Sequence, residues 1–327
     1  MKLGIVYLII VEFFSIGGYV LEDYVVVIGG ANIDIIGTPF SKPSFFNSNP
    51  GKTTMSLGGV ARNIAENLSR LDVNVEFITV LGDDSYANEI KNSCAELNIS
   101  LNHSLIINEE RTSTYLCIND ESGEMQLAIS DMEIYKYITP DFLKGKLDII
   151  NNSKVCILDT NIPPESLFYL MDNCKVPIFL DTVSNSKTEK IKDQIHNIHT
   201  LKPNIMEAEI LSNMKISDHN DLERATNIII NKGVKNLFVS LGSKGVYYTN
   251  GKEKGNIPII ESNIVSTTGA GDSFIAAVVW AYLNDYSIEK AAKIGIAASS
   301  ITVKSKLTVS TDMSVENIES ILEKNWR

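Results

Sequence analysis

Tyr24-Val25-Val26-Val27-Ile28-Gly29-Gly30-Ala31-Asn32-Ile33-Asp34 opens with a run that is apolar at every position and closes on two glycines and two polar residues. A strand that is apolar throughout, rather than at every second residue, is buried on both sides, and such strands belong to parallel sheets covered by helices. Comparable runs stand at Phe77–Leu81, Val155–Asp159, Ile178–Asp181, Leu237–Leu241 and Val246–Thr249. Between them lie helical patterns: Val60, Ile64 and Leu68; Ala87, Ile90, Cys94 and Leu97; Leu222, Ala225 and Ile229; and Phe274 to Leu283. This alternation predicts an α/β fold, doubly wound, with a mostly parallel sheet and helices on both faces.

Two segments break the rhythm. Gly37–Met55 is rich in Ser, Pro and Asn, and Thr112–Ile129 holds two short alternating runs around Asp120-Glu121-Ser122-Gly123, which is a hairpin signal. Both are predicted to project from the main sheet as a small β lid, about 35–56 and 112–130, within one domain running from 24 to 327. Residues 1–23 read separately, because Glu12 is the only charge between Leu3 and Leu21. A packed or partner-covered extension is the reading preferred over a remnant of another domain or a targeting segment, since Glu12 interrupts the apolar run and no A-x-A-like cleavage site follows.

Composition narrows the function classes. With 29 Lys and Arg against 40 Asp and Glu the net charge is −11, and no run of five basic residues occurs, which argues against binding a nucleic-acid backbone. Hydrophobic residues at 44% and charged residues at 21% suit a globular protein with a sizeable core, and no membrane span is expected. Cys94, Cys117, Cys156 and Cys174 form no C-x-x-C pair and read as reduced thiols of the core. His196-x-x-His199 is the one close histidine pair, but no further ligand completes a metal set beside it.

The strongest chemical signal is Ser266-Thr267-Thr268-Gly269-Ala270-Gly271-Asp272-Ser273-Phe274, which runs directly into the apolar helix Ile275–Leu283. Glycines at a helix start let backbone approach a ligand, and the unpaired N–H groups there, with the helix dipole, attract an anion. Asp272 is then either an ordinary N-terminal cap or a base that takes a proton from a hydroxyl while the neighbouring N–H groups stabilise a phosphoryl group in transfer. Gly58-Gly59-Val60-Ala61-Arg62-Asn63-Ile64 is a second glycine pair feeding a helix, with Asn63 on the first turn within reach of a ligand near the glycines. Asn32 and Asp34 share one face of their strand by period-two alternation, and a carboxylate there can accept from two sugar hydroxyls. The chain has neither G-x-G-x-x-G after Gly29 nor any G-x-x-x-x-G-K-[ST], so a nicotinamide dehydrogenase and a P-loop enzyme are excluded.

From Tyr24 onward these elements resemble the ribokinase-like sugar kinase family. Gly58, Gly59 and Asn63 match its first signature, Thr268 to Asp272 match its second, Asn204-Ile205-Met206-Glu207 matches its nucleotide-side N-x-x-E, and Ser240 to Gly245 match a loop beside ATP phosphates. The likeness implies an ATP- and Mg²⁺-dependent, cytoplasmic kinase of a small sugar or nucleoside. Asp272 would be its base, and Gly269, Ala270 and Gly271 its anion hole. Thr268, Ser240, Gly242 and Gly245 would lie at the nucleotide, with Asn204 and Glu207 arranging Mg²⁺ indirectly. It often implies a monovalent cation such as K⁺, yet Ser266 stands where many members have Asp. Within the family, Ser48–Lys52, Gly123-Glu124-Met125, Ala128–Met132 and His199–Asn204 are similar to the branch that phosphorylates the 5′-hydroxyl of pseudouridine. On that likeness Asn32, Asp34, Gly58, Gly59 and Asn63 hold the ribose, Lys52, Thr112 and Thr114 meet the uracil ring, and Asp131 and Asn161 border the same pocket. A kinase of another sugar or nucleoside, and a non-catalytic nucleoside sensor, are the alternatives; a homodimer is a further expectation.

Overall fold

The computed structural model describes residues 23–326, so the expectation for residues 1–22 lies outside the described residues. The main sheet has eight strands in the order Lys254–Ile257, Val246–Thr249, Asn236–Ser240, Thr200–Lys202, Ile178–Asp181, Cys156–Asp159, Tyr24–Ile28, Asn74–Ile78. The six from Asn236–Ser240 onward pair in parallel, and the first two join antiparallel at one edge. Alternate residues of Tyr24–Ile28 divide between two cores, which is why the run carries no polar face. Val25 and Val27 pack with Phe77, Ile157 and Phe179 under the helices Val60–Arg70, Ala270–Leu283 and Ile288–Thr302. Tyr24, Val26 and Ile28 pack with Leu158, Leu180 and Leu201 under Pro164–Asn173, Ile205–Ser212 and His219–Asn231. Among the described residues no helix is long and apolar enough to cross a membrane.

One sequence expectation is corrected here. Phe77–Leu81 is two strands rather than one, because the Thr79 carbonyl turns away to accept the Leu105 N–H at 2.9 Å and Val80–Gly82 then pairs with Leu105–Ile107 in a separate ribbon. The Ser/Pro/Asn-rich stretch is framed by regular strands: Asn32–Pro39 and Gly51–Gly58 pair antiparallel, and with Thr114–Asn119 and Met125–Asp131 they make a four-stranded sheet outside the main one. The expected hairpin is present, its turn held by Asp120, whose side chain takes the N–H groups of Ser122 and Glu124. His196 and His199 do not converge; one meets Asp172, and the other stacks on Phe179, where burial pushes its pKa down to about 4.

Candidate active site

Tyr24–Ile28, the first strand of the described residues, lies inside the sheet with Asn74–Ile78 on one side and Cys156–Asp159 on the other, so the direction of winding reverses there and leaves a crevice at the carboxyl ends of the strands. Three neighbouring strands end on charged residues in register, Asp159 opposite Asp181 and Asp181 opposite Lys202. Their side chains share one face by alternation, the face that carries the helix starts at Val60 and Ala270. Asp159 Oδ2 accepts from the N–H groups of Gly30 at 3.0 Å and Ala61 at 2.9 Å, so one buried carboxylate pins the glycine turn after the first strand to the start of the Val60–Arg70 helix. Asp181 pairs with Lys202 at 3.1 Å. Burial would lower the Lys202 pKa, but the charges of Asp181, Glu207 and Asp272 outweigh it and raise the pKa overall.

Asp272 stands above this row in the first turn of Ala270–Leu283 and is 9% exposed. Its Oδ2 accepts from Asn63 Nδ2 at 2.8 Å. Burial first, and then the negative charges of Asp181 and Asp159, push its pKa up to about 7 against the opposing pull of Asn63 and Lys202. The preceding Gly269 has φ +80, and a Cβ on it would fall 1.9 Å from the Thr308 carbonyl oxygen, so only glycine fits this helix start. Lys202 Nζ lies 3.0 Å from where a Cβ on Gly271 would be, which sets a cation directly against the glycine backbone.

On the other side of the crevice, Asn32 Nδ2 donates to Asp34 Oδ1 at 2.6 Å, and a Cβ on Gly58 would strike the Asp34 carboxylate at 2.4 Å. Burial raises the pKa of Asp34, with the Asn32 hydrogen bond and the charge of Arg62 pulling the other way. Gly59, at φ +98, leaves no room for a side chain, since a Cβ would sit 2.4 Å from the Gly30 carbonyl. Asn161 also reaches the crevice, donating Nδ2 to Asp159 at 2.7 Å and accepting from Lys187 Nζ.

The nucleotide-side residues gather around a cavity of about 960 Å³. Ser240, Gly242, Gly245 and Gly271 line it together with apolar Phe274 and Ile296. Thr267 lines it as well, whereas the expected Thr268, whose N–H is taken by Ser266 Oγ at 3.2 Å in the loop before the helix, does not. Asn204 and Glu207 form a capping box: Asn204 Oδ1 accepts the Glu207 N–H at 2.9 Å and Glu207 Oε2 accepts the Asn204 N–H at 2.8 Å. The same Oε2 takes the Thr182 hydroxyl at 2.6 Å, while Oε1 has no protein donor among the described residues.

Some expected residues stand apart from the crevice. Thr112 is spent on structure, its hydroxyl donating to Asp84 at 2.7 Å and accepting from the Gly82 N–H at 3.1 Å. Thr114 pairs with Ile33 and Asp131, which puts Thr114 and Asp131 on the face of the small sheet opposite Asp34. Lys52 shares the Asp34 face but is exposed, four residues along from Ser56, the partner of Asp34, or roughly 13 Å at strand rise. Asp159, Asp181 and Lys202 were not among the residues singled out from sequence. The available signal was that two apolar runs in succession, Val155–Asp159 and Ile178–Asp181, end on a carboxylate, whereas Thr200–Lys202 is too short and polar to read as a strand.

A glycine-lined helix start beside a buried carboxyl and a large cleft, at the switch point of a doubly wound sheet, defines a phosphotransferase with an alcohol acceptor. The pfkB family carbohydrate kinase model matches residues 22–314, and the chain belongs to that family. Over 92% of its length it is 35% identical to pseudouridine kinase of Escherichia coli, covering 97% of that protein. It is 34% identical to an uncharacterised sugar kinase of the same organism over 93% of this chain and 85% of that one. The solved structure of Arabidopsis thaliana ribokinase, complexed with ribose and ATP, superposes with a TM-score of 0.83 at 24% identity, covering 92% of this chain and 99% of that one, and so shares the fold.

Proposed function

We propose that the protein transfers the γ-phosphoryl group of ATP to the 5′-hydroxyl of pseudouridine. The observation that carries the kinase chemistry is Asp272, a buried carboxyl at a helix start with a pKa near 7, held by Asn63 and flanked by Lys202 and the glycine backbone. A base poised near neutrality combines a large ionised fraction with useful proton affinity. Asp272 takes the proton of the attacking hydroxyl as the oxygen–phosphorus bond forms. The N–H groups of Gly271 and Asp272, which take no backbone acceptor among the described residues, face the charge that develops on the transferred group. Asn32, Asp34 and Asn63 hold the ribose, and Asn161 borders it.

The donor set fits the nucleotide and the metal. The cavity beside Gly242, Gly245 and Gly271 has an apolar wall at Phe274 and Ile296 for a base and backbone donors for phosphates. The open Oε1 of Glu207 suits a water of hydrated Mg²⁺, an ion that keeps several of its waters. Mg²⁺ supplies neutralisation of phosphate charge when bound. Four free thiols and the use of ATP suit a cytoplasmic setting. The face of the small sheet opposite Asp34 carries exposed Met55, Leu127 and Ile129, which supports a homodimer, to be checked by sedimentation.

The substrate reading is supported by the likeness to pseudouridine kinase over 97% of that protein's length. ATP consumption measured with pseudouridine, uridine, adenosine and ribose tests it; turnover highest on ribose or adenosine overturns the substrate, and turnover on none overturns the kinase.

A further inference from the structure

Behind the Asn63–Asp272 hydrogen bond stands a buried chain of charges to which phosphoryl transfer gives no task. Arg62 is 5% exposed and Glu66 7% exposed. Glu66 lies four residues from both Arg62 and Arg70 on the helix Val60–Arg70, so the three meet on one face. Glu66 Oε1 takes Nε and Nη2 of Arg70 at 3.0 and 2.7 Å, and its Oε2 takes Nη2 of Arg62. Nη1 of Arg62 is left to donate to Asn63 Oδ1 at 2.8 Å and to the Leu57 carbonyl, at the base of the small sheet, at 3.2 Å. Stability alone does not account for so buried a pair, because desolvation cancels much of its attraction and apolar residues of equal volume often serve as well.

Its donor pattern does something that an apolar pair cannot. A guanidinium only donates, whereas a side-chain amide has one accepting and one donating end. Asn63 lies between Arg62 and Asp272. With its carbonyl end held by Arg62, its NH₂ end faces the carboxylate; turned over, it would set NH₂ against guanidinium and carbonyl against carboxylate, and both contacts would repel. We propose that Arg62, braced by Glu66 and Arg70, is a positioning residue that fixes the Asn63 amide in its donating orientation and so stabilises the ionised form of Asp272. The inference rests on Asp272 being the base of the proposed reaction. The other charges facing Asp272 are Asp181, Lys202 and Asp159, from three strand ends. None of them is hydrogen-bonded to the Asn63 side chain among the described residues, so changing Arg62 leaves that background in place.

The test follows the Asp272 carboxyl by ¹³C NMR in the full-length protein labelled at aspartate, its resonance assigned by its loss in Asp272→Asn. In Arg62→Met/Glu66→Gln, which removes both charges together, the titration midpoint is expected to rise by about half a unit to one unit, a threefold to tenfold change in proton affinity. Arg62→Lys keeps the charge but has no fork to span Glu66 and Asn63 together, so its midpoint falls between wild type and the double variant. The acid limb of kcat against pH, measured with ATP and pseudouridine, moves by the same amounts while the KM for ATP stays within about twofold. A folded double variant with an unmoved midpoint overturns the proposal. A measurement without these variants also decides it: in wild-type protein the ¹⁵N-bound NH₂ protons of Asn63 should titrate together with Asp272, and a flat response overturns the proposal. The titrations need no turnover. If Asp272→Asn still phosphorylates substrate, the assignment of the base falls, while the NMR result still reports whether Arg62 sets the amide.

Discussion

Asp272 combines two properties that conflict in a purely structural residue. It is buried beside Asp181 and Asp159, which penalises its charge, and it is held by Asn63 and Lys202, which favour it; the balance leaves its pKa at about 7. Turnover should therefore rise with pH through about 7 as the base ionises, and Asp272→Asn should lower kcat by about 10²–10⁴-fold with a much smaller change in KM. More than a tenth of wild-type turnover in that variant would refute the assignment. Stability runs the other way. The folded chain holds this proton more tightly than the unfolded chain, whose carboxyl has the ordinary value of 3.8, so the contribution is full below about pH 4 and is lost as the pH climbs through 7. Asp272→Asn should consequently flatten the pH dependence of thermal unfolding and be more stable than wild type at pH 8, on the order of a few kcal/mol. Gly271→Val makes a second residue-scale test, because a Cβ there meets Lys202 Nζ at 3.0 Å. The branched side chain should displace that ammonium and lower turnover by at least tenfold in a normally folded protein, and unchanged turnover would reduce this loop to a plain helix start.

At the scale of elements, Gly58, Gly59 and the small sheet make the prediction. Gly58 and Gly59 join the strand Gly51–Gly58 to the helix Val60–Arg70, and Gly59 adopts φ +98. If the small sheet closes over the ribose to exclude water, amide hydrogen exchange in Thr114–Asn119 and Met125–Asp131 should slow when pseudouridine is added, and identical exchange at saturation would count against closure. These elements also show how much a single sequence conveys. The parallel strands were legible because each is buried on both faces, as Val25 and Val26 are in opposite cores. The glycine turns were legible as helix starts, while Asp272 alone read equally as a cap, and only the family resemblance singled it out. The break at Thr79 was not, since it depends on a carbonyl taken by distant Leu105. Nor was the use of Thr112, whose partner Asp84 is settled only by tertiary packing. The Asp159–Asp181–Lys202 row was hidden for the same reason: sequence gives the first two strand ends, but only the register brings the three together.

For the molecule as a whole, substrate choice is a question about two sheets meeting over one crevice. Pseudouridine and uridine share the ribose, so Asp34 and Asn63 cannot tell them apart. The two differ in the ring, where pseudouridine is joined to the sugar through carbon and keeps a free N–H at the position through which uridine carries its sugar. A protein acceptor for that N–H would be left unpaired by uridine, and a buried unpaired acceptor costs about 1–3 kcal/mol, roughly 5- to 150-fold. The main sheet supplies the charged row beneath Asp272, so the small sheet is left to supply the acceptor. Its register rather than its sequence says where. Ser56, Asp34, Tyr115 and Ser130 are successive partners across the four strands and share the face that carries Asp34, whereas Thr114 and Asp131 lie on the other. A preference for pseudouridine over uridine of at least tenfold in kcat/KM is expected, and Ser130→Ala together with Ser56→Ala should erode it without reducing turnover on uridine. Equal kcat/KM on the two nucleosides in the wild-type protein would remove the ring from the specificity and leave a kinase that reads the ribose alone.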